Sequence, residues 1–241
     1  MRPIERGTSP HPGDFADYRD AFPYLQARLG PFCSYCERRI ATMLAVEHIQ
    51  PKGLPQYAHL IGQWDNFLLG CVNCNGTKKD KDVHLAEVFL PDRDNTTAAF
   101  DYSPDGKVAP AAALTDGPRQ MAKDTLALTG LDKPLNAVLD ENGQLVAIDR
   151  VAQRMEVWLV AQRSHGHLQH HPTDAIREQI VETARGYGFF SIWMTVFLDD
   201  PEMRRRLIAG FPGTAVDCFQ AATTAAVSPR PPGHLPQGSK I

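Results

Sequence analysis

The sequence lacks any long hydrophobic run: the longest, Phe189 to Leu198, is about half of the roughly 20 residues that a bilayer-spanning helix needs. No membrane partner is therefore expected. The first residues, MRPIERGTSP, contain no apolar stretch of the kind that a secretory signal carries, which makes a soluble, cytoplasmic protein the expectation. A surplus of basic residues is also missing, because Lys and Arg number 25 against 28 Asp and Glu, for a formal net charge of -3. That balance excludes a protein that coats nucleic acid by bulk charge, since such binding needs many clustered cations on phosphates. Contact with nucleic acid would have to be local. Cysteine is scarce as well, and its count of 5 excludes a fully paired disulfide framework. Four of them form two Cys-x-x-Cys pairs, which in a cytosolic chain point to metal; Cys218 is left over and is expected as a small buried hydrophobe.

What is present suits a globular chain, with 43% hydrophobic and 22% charged residues over 241 positions. Residues 1–30 hold four prolines and little periodicity before Phe15 to Leu29, and read as an N-terminal arm ending in a short helix. Residues 31–90 carry the densest chemistry. A cysteine knuckle is followed by the apolar and β-branched stretch Met43 to Ile49, a loop with Pro51, Gly53 and Pro55, and then Trp64 to Cys71, in the order hairpin, loop, helix. Residues 91–220 begin with a hairpin signalled by Pro104-Asp105-Gly106 and continue as helices. Gln120 to Thr129 ends at Gly130, Ile148 to Arg163 has helical apolar spacing, Thr173 and Asp174 cap Ala175 to Arg185, and Asp200-Pro201 starts a helix to about Ile208. His165, His167, His170 and His171 fall in a polar loop after a helix and are expected in solvent. The last stretch, 221–241, is rich in Ala, Thr, Ser, Pro and Gly and is expected to be a disordered tail. The fold class is α+β.

Cys33-x-x-Cys36 and Cys71-x-x-Cys74 can each form a knuckle that presents two thiolates, and together they suit a closed four-cysteine site for one tetrahedral Zn2+. The competing reading, a redox Cys-x-x-Cys, is disfavoured because two copies stand without a thioredoxin-like βαβ pattern. Four protein ligands leave no open position, so this zinc is expected to be structural, closing the excursion between the pairs and contributing folding energy.

Between the knuckles lie Val46-Glu47-His48-Ile49-Gln50-Pro51-Lys52 and Trp64-Asp65-Asn66-Phe67-Leu68-Leu69, and the second knuckle runs into Asn75-Gly76-Thr77-Lys78. Metal-assisted hydrolysis needs an activated water, stabilisation of developing charge and neutralisation of the leaving group. His48 is a candidate base because a histidine is neutral for a useful fraction of the time near pH 7. Glu47 and Asn75 offer the oxygen ligands that a hard ion such as Mg2+ or Mn2+ prefers. A (D/E)-H-I-x-P segment between two Cys-x-x-Cys pairs, followed by a D-N-L-L-like segment and C-x-x-C-[HN]-x-x-K, resembles the HNH endonuclease motif in the variant where Asn replaces the last His. The resemblance implies a ββα-metal nuclease module at 31–90, with His48 as general base, Asn66 orienting that base through a hydrogen bond, and Glu47 and Asn75 on the catalytic ion. Lys78, extended by Lys79 and Lys81, is then expected to hold phosphate as a point charge. Glu47 stands where Asp is commoner; it keeps an oxygen available.

The resemblance extends to Met1-Arg2-Pro3-Ile4 and to Leu90-Pro91-Asp92-Arg93-Asp94-Asn95, which look like the HNH nucleases of Septu and retron-type anti-phage systems. It implies a nucleic-acid substrate, DNA ahead of RNA, and an ATPase partner. Trp193, Met194, Phe197 and Phe211 could form a docking face for that partner, or fill the protein's own core, which their helical spacing favours. The alternative from another class is a zinc-stabilised module that binds nucleic acid or a partner without catalysis.

Overall fold

The computed structural model describes residues 1–133, 138–139, 145–147 and 150–241. Helix α1 (Phe22–Leu29) follows a 3-10 turn, Tyr18–Ala21, whose Asp17 cap accepts from the Arg19 amide. Pro23 near its start fits the free first-turn position of a helix, and Leu25 and Leu29 face inward. Strand β1 (Ala45–His48) pairs antiparallel with β2 (Phe67–Gly70) in the register Ala45↔Gly70, Val46↔Leu69, Glu47↔Leu68 and His48↔Phe67. Every β2 residue is buried, with α1 packed against the strand. Helix α2 (Val72–Lys78) starts directly at the second knuckle with Cys71 as its N-cap residue, which completes the expected ββα order.

Beyond it come α3 (Thr96–Ala99), the hairpin β3 (Phe100–Tyr102) with β4 (Val108–Pro110), and α4 (Asp116–Thr129), which stops at Gly130 in the left-handed conformation. The pair β5 (Val138–Leu139) and β6 (Leu145–Ala147) is antiparallel. Four helices finish the chain: α5 (Arg150–His170), α6 (Asp174–Tyr187), α7 (Phe190–Val196) and α8 (Pro201–Gly210). Thr173 and Asp200 cap α6 and α8 with their side-chain oxygens, as their sequence positions suggest. Ile148, the expected start of α5, lies outside the described residues. At its other end α5 runs past Arg163 to His170, so the histidine cluster occupies mainly the last turns of a helix rather than a loop, and His165 is partly buried against Phe197 and Asp199.

Among the described residues two apolar cores result, one around the ββα unit, α1 and α4, the other among the last four helices. Trp193, Met194, Phe197 and Phe211 all belong to the second and are buried, so they fill the protein's own core and offer no docking face. Cys218 is buried there too, as expected.

The tail expected to be disordered is instead sewn down. Ile241 is buried and its carbonyl accepts from the Asn95 and Arg230 amides, while Lys240 Nζ pairs with Asp94 at 2.8 Å. Arg230 also donates to the carbonyls of Ile4 and Pro91. Apolar content misjudged this segment because directed polar bonds to buried Asp94, Asn95 and Arg230, rather than a large apolar area, place it. The Leu90–Asn95 segment is thus a junction: Asp92 also pairs with Arg6 at 3.0 Å and with Arg93 at 2.9 Å. Arg6 in turn donates to the carbonyls of Phe67 and Asp65, which hooks the N-terminal arm to β2.

Candidate active site

The four knuckle cysteines are buried, and their sulfurs lie within 4.8 Å of one another. Cys36 Sγ and Cys71 Sγ are 3.7 Å apart, close to the roughly 3.8 Å edge of a tetrahedron built on zinc–sulfur bonds of about 2.3 Å. The donor set therefore fits zinc. The amide of Cys71 points at Cys33 Sγ, 3.4 Å away, and Arg150 Nη1 donates to Cys74 Sγ at 3.1 Å. Burial works to lower the Arg38 pKa, but the thiolates of Cys36 and Cys71 beside it more than offset this and raise it.

A cleft of about 540 Å³ opens beside this staple, and its lining includes Glu47, His48, Asn75, Lys78 and Lys79, which the sequence singled out. Glu47 and His48 are consecutive residues of β1, and Asn75 sits on the first turns of α2. Gly70 lets them meet, because a Cβ there would lie 3.0 Å from Glu47 Cβ and 3.6 Å from Asn75 Cβ. The two oxygen donors thus flank a position without a side chain.

His48 is almost buried, with its ring edge-on to Tyr18 and to Phe67. Its Nε2 is 3.0 Å from the carbonyl of Ile61, which can only accept. The proton of the neutral ring therefore sits on Nε2, and Nδ1 carries the lone pair. Burial pushes the His48 pKa down, against the bond to Ile61, so the ring is held toward its neutral, proton-accepting form.

Lys78 lines the cleft, but its ammonium is turned inward and is not free for a phosphate. Its side chain is buried, with Nζ 2.9 Å from Glu47 Oε1 and 2.7 Å from the His48 carbonyl. Tyr35 reaches the same Oε1 at 3.4 Å. Burial pushes the Glu47 carboxyl up, and Lys78 opposes that. The exposed cations at the cleft are Lys79, Lys52 and Arg19, of which Arg19 is already paired with Asp17 at 2.6 Å.

Asn66 is likewise corrected, for its amide does not touch the His48 ring. Its Oδ1 accepts from the Gln50 amide at 2.8 Å and its Nδ2 donates to the Gln50 carbonyl at 3.0 Å. It clamps the backbone just after β1, and its Nδ2 also reaches the Leu60 carbonyl at 3.4 Å, next to the Ile61 that faces the His48 ring, so it acts on His48 through backbone on both sides. Tyr18, Lys52 and Tyr35 had no assigned role in the sequence. Tyr35 could have been noticed inside Cys33-x-x-Cys36 and Lys52 just after Pro51, whereas nothing local marks Tyr18, whose hydroxyl accepts from Lys52 Nζ at 2.6 Å.

A two-stranded hairpin and a helix, with two cysteine pairs gathered beside them and a Glu-His pair on the first strand, make up a ββα module. Residues 33–81 match the family model described as HNH endonuclease, and the chain carries an HNH endonuclease domain there. A further similarity is to Septu protein PtuB of Bacillus thuringiensis, 35% identical over 81 residues that cover 31% of this chain and 31% of that protein. The match thus spans under a third of the curated relative's length.

Proposed function

We propose that this chain is a metal-dependent endonuclease that hydrolyses nucleic-acid phosphodiester bonds, DNA ahead of RNA, as an effector of anti-phage defence. The observation that carries the reading is the cleft that gathers His48, Glu47 and Asn75 beside the cysteine staple. His48 is the general base: with Nε2–H spent on Ile61, Nδ1 takes the proton from the attacking water. Glu47 and Asn75 are the residues that would hold the catalytic Mg2+ or Mn2+ by oxygen. When bound, such an ion would supply Lewis-acid stabilisation of charge at the phosphate and the leaving oxygen. Lys79 and Lys52, at the cleft and exposed, hold flanking phosphates. The zinc is structural, and Asn66 positions the loop that follows the base. The likeness to Septu protein PtuB supports the defence role, and we extend the proposal to an ATPase partner and a cytoplasmic setting.

His48→Ala tests this. Cleavage of plasmid, single strands or RNA in Mg2+ or Mn2+ should fall by about 10²-fold or more, the scale of a lost general base, and EDTA should abolish it. A variant that cuts as fast as wild type ends the assignment. The Lys78–Glu47 pair favours one other reading, a zinc-stabilised binding module without catalysis, because it already satisfies one oxygen of the ion ligand. Tight binding of nucleic acid with no EDTA-sensitive turnover would select it.

A further inference from the structure

Four thiolates around one divalent zinc leave the cluster with two negative charges. In this chain the cluster is deeply buried, Cys33 and Cys71 being 1% exposed and Cys74 0%. Buried charge is costly unless it is compensated and hydrogen-bonded. One compensating cation is local: half-buried Arg38 reaches Asn73 Oδ1 at 3.4 Å, inside the second knuckle, and Gln153 Oε1 of α5 at 3.3 Å. The other comes from far away in the chain. Arg150, the first residue of α5, lies 76 positions beyond Cys74 and donates Nη1 to its sulfur at 3.1 Å.

The rest of that guanidinium is fixed too. Nη1 also donates to the Thr129 carbonyl at 3.2 Å and Nη2 to the Gly130 carbonyl at 2.5 Å, at the end of α4. Gly130 has a φ of +66°, and a Cβ there would lie 2.9 Å from Thr77 Cγ2 of α2 and 3.2 Å from Arg150 Nη2. The end of α4, the start of α5, and α2 converge at this point without space for another side chain. A planar fork held by two carbonyls and aimed at a thiolate is a preorganised donor, which a flexible surface arginine is not.

We propose that Arg150 is a working part of the zinc centre: its guanidinium donates to the Cys74 thiolate, offsets charge on the four-cysteine site and ties the C-terminal helices to the second knuckle. The inference rests on the zinc reading and is independent of whether the chain cuts nucleic acid. Its consequence is that residues 31–90 supply every thiolate while the helical region contributes to affinity. Because Asn75 directly follows Cys74, the tie also fixes a residue that lines the cleft.

Zinc competition against a chromogenic chelator, using the full chain, reads this directly. Hydrogen-bond partners of metal ligands are worth about 10–100-fold in affinity, so Arg150→Met should weaken zinc by that factor. Arg154→Met is the control, because Arg154 is a buried arginine of the same helix whose Nε donates to the Gly106 carbonyl at 2.5 Å, and it reports general loosening of α5. Zinc affinity in Arg150→Met no lower than in Arg154→Met overturns the proposal. Should Arg150→Met fail to fold, Arg150→Gln keeps a donor for the carbonyls and removes the charge. In the cobalt-substituted protein its sulfur-to-metal charge-transfer band should move from the wild-type position, and an unmoved band with wild-type zinc affinity is fatal. Wild-type chain that folds and takes up no zinc overturns the inference together with the zinc reading, whereas a chain that holds zinc and does not cleave leaves it standing.

Discussion

Lys78 Nζ lies 2.9 Å from Glu47 Oε1, and both side chains are 2% exposed, so the second strand-helix unit supplies a buried counter-charge to the first strand. Removing one member of a buried pair leaves the other uncompensated, which costs about 3–5 kcal/mol. Lys78→Met is therefore expected to lose stability on that scale in denaturant unfolding, and Glu47→Gln combined with Lys78→Met should recover much of it. A lysine that only touched substrate phosphate would behave differently, with nucleic-acid binding weakened and unfolding unchanged. That second pattern would restore the role the sequence suggested and remove the ion pair from the account of Glu47.

Asn66 makes a separable prediction. Its side chain satisfies both the amide and the carbonyl of Gln50, and Asn66→Ala leaves those backbone groups without their partners at a cost of about 1–3 kcal/mol. Cleavage should drop because the loop after His48 shifts. The acid limb of the rate profile should nevertheless keep its position, since the bond that faces the His48 ring comes from Ile61. A displaced limb in Asn66→Ala would mean that the amide acts on the imidazole itself.

The parts of this arrangement that were legible in the sequence are those encoded within a few residues. A Cys-x-x-Cys knuckle is local geometry, so four cysteines in two such pairs announced the staple that their clustered sulfurs form. Thr173, Asp200 and Gly130 mark helix ends by bonds to their own or neighbouring turns, and each was readable. Glu47 and His48 are adjacent, and the distance to Asn75 is spanned by one antiparallel register. What was not legible depends on packing between distant segments. Tyr18 reaches the cleft only because the N-terminal arm folds over β1, Arg150 meets Cys74 across the end of α4, and Lys78 turns inward because Glu47 is there to receive it. The tail is the opposite case: it is low in apolar residues, but the buried charge that binds it lies in the distant Leu90–Asn95 segment.

That segment gives the pH prediction. Burial pushes the Asp92 carboxyl up, but the guanidiniums of Arg93 and Arg6 more than offset it and hold the folded-state pKa below its usual value. Both partners stay charged throughout, so the sign is set by the carboxylate. A depressed folded pKa contributes stability that is fully present above the unfolded value of about 3.9 and is lost as pH falls through the folded value. Asp92→Asn lacks the charge at every pH and leaves two buried guanidiniums short of it, so near neutrality it should unfold more easily than wild type by about 3–5 kcal/mol. Titrated toward acid, wild type should lose stability below about pH 4 while the variant stays flat with respect to this group, so that the gap closes. The measurement is denaturant midpoint against pH for the two proteins. A gap that stays constant down to the most acidic point would show that Asp92 acts by shape alone and that Arg6 is held to β2 by the Phe67 and Asp65 carbonyls without help from charge.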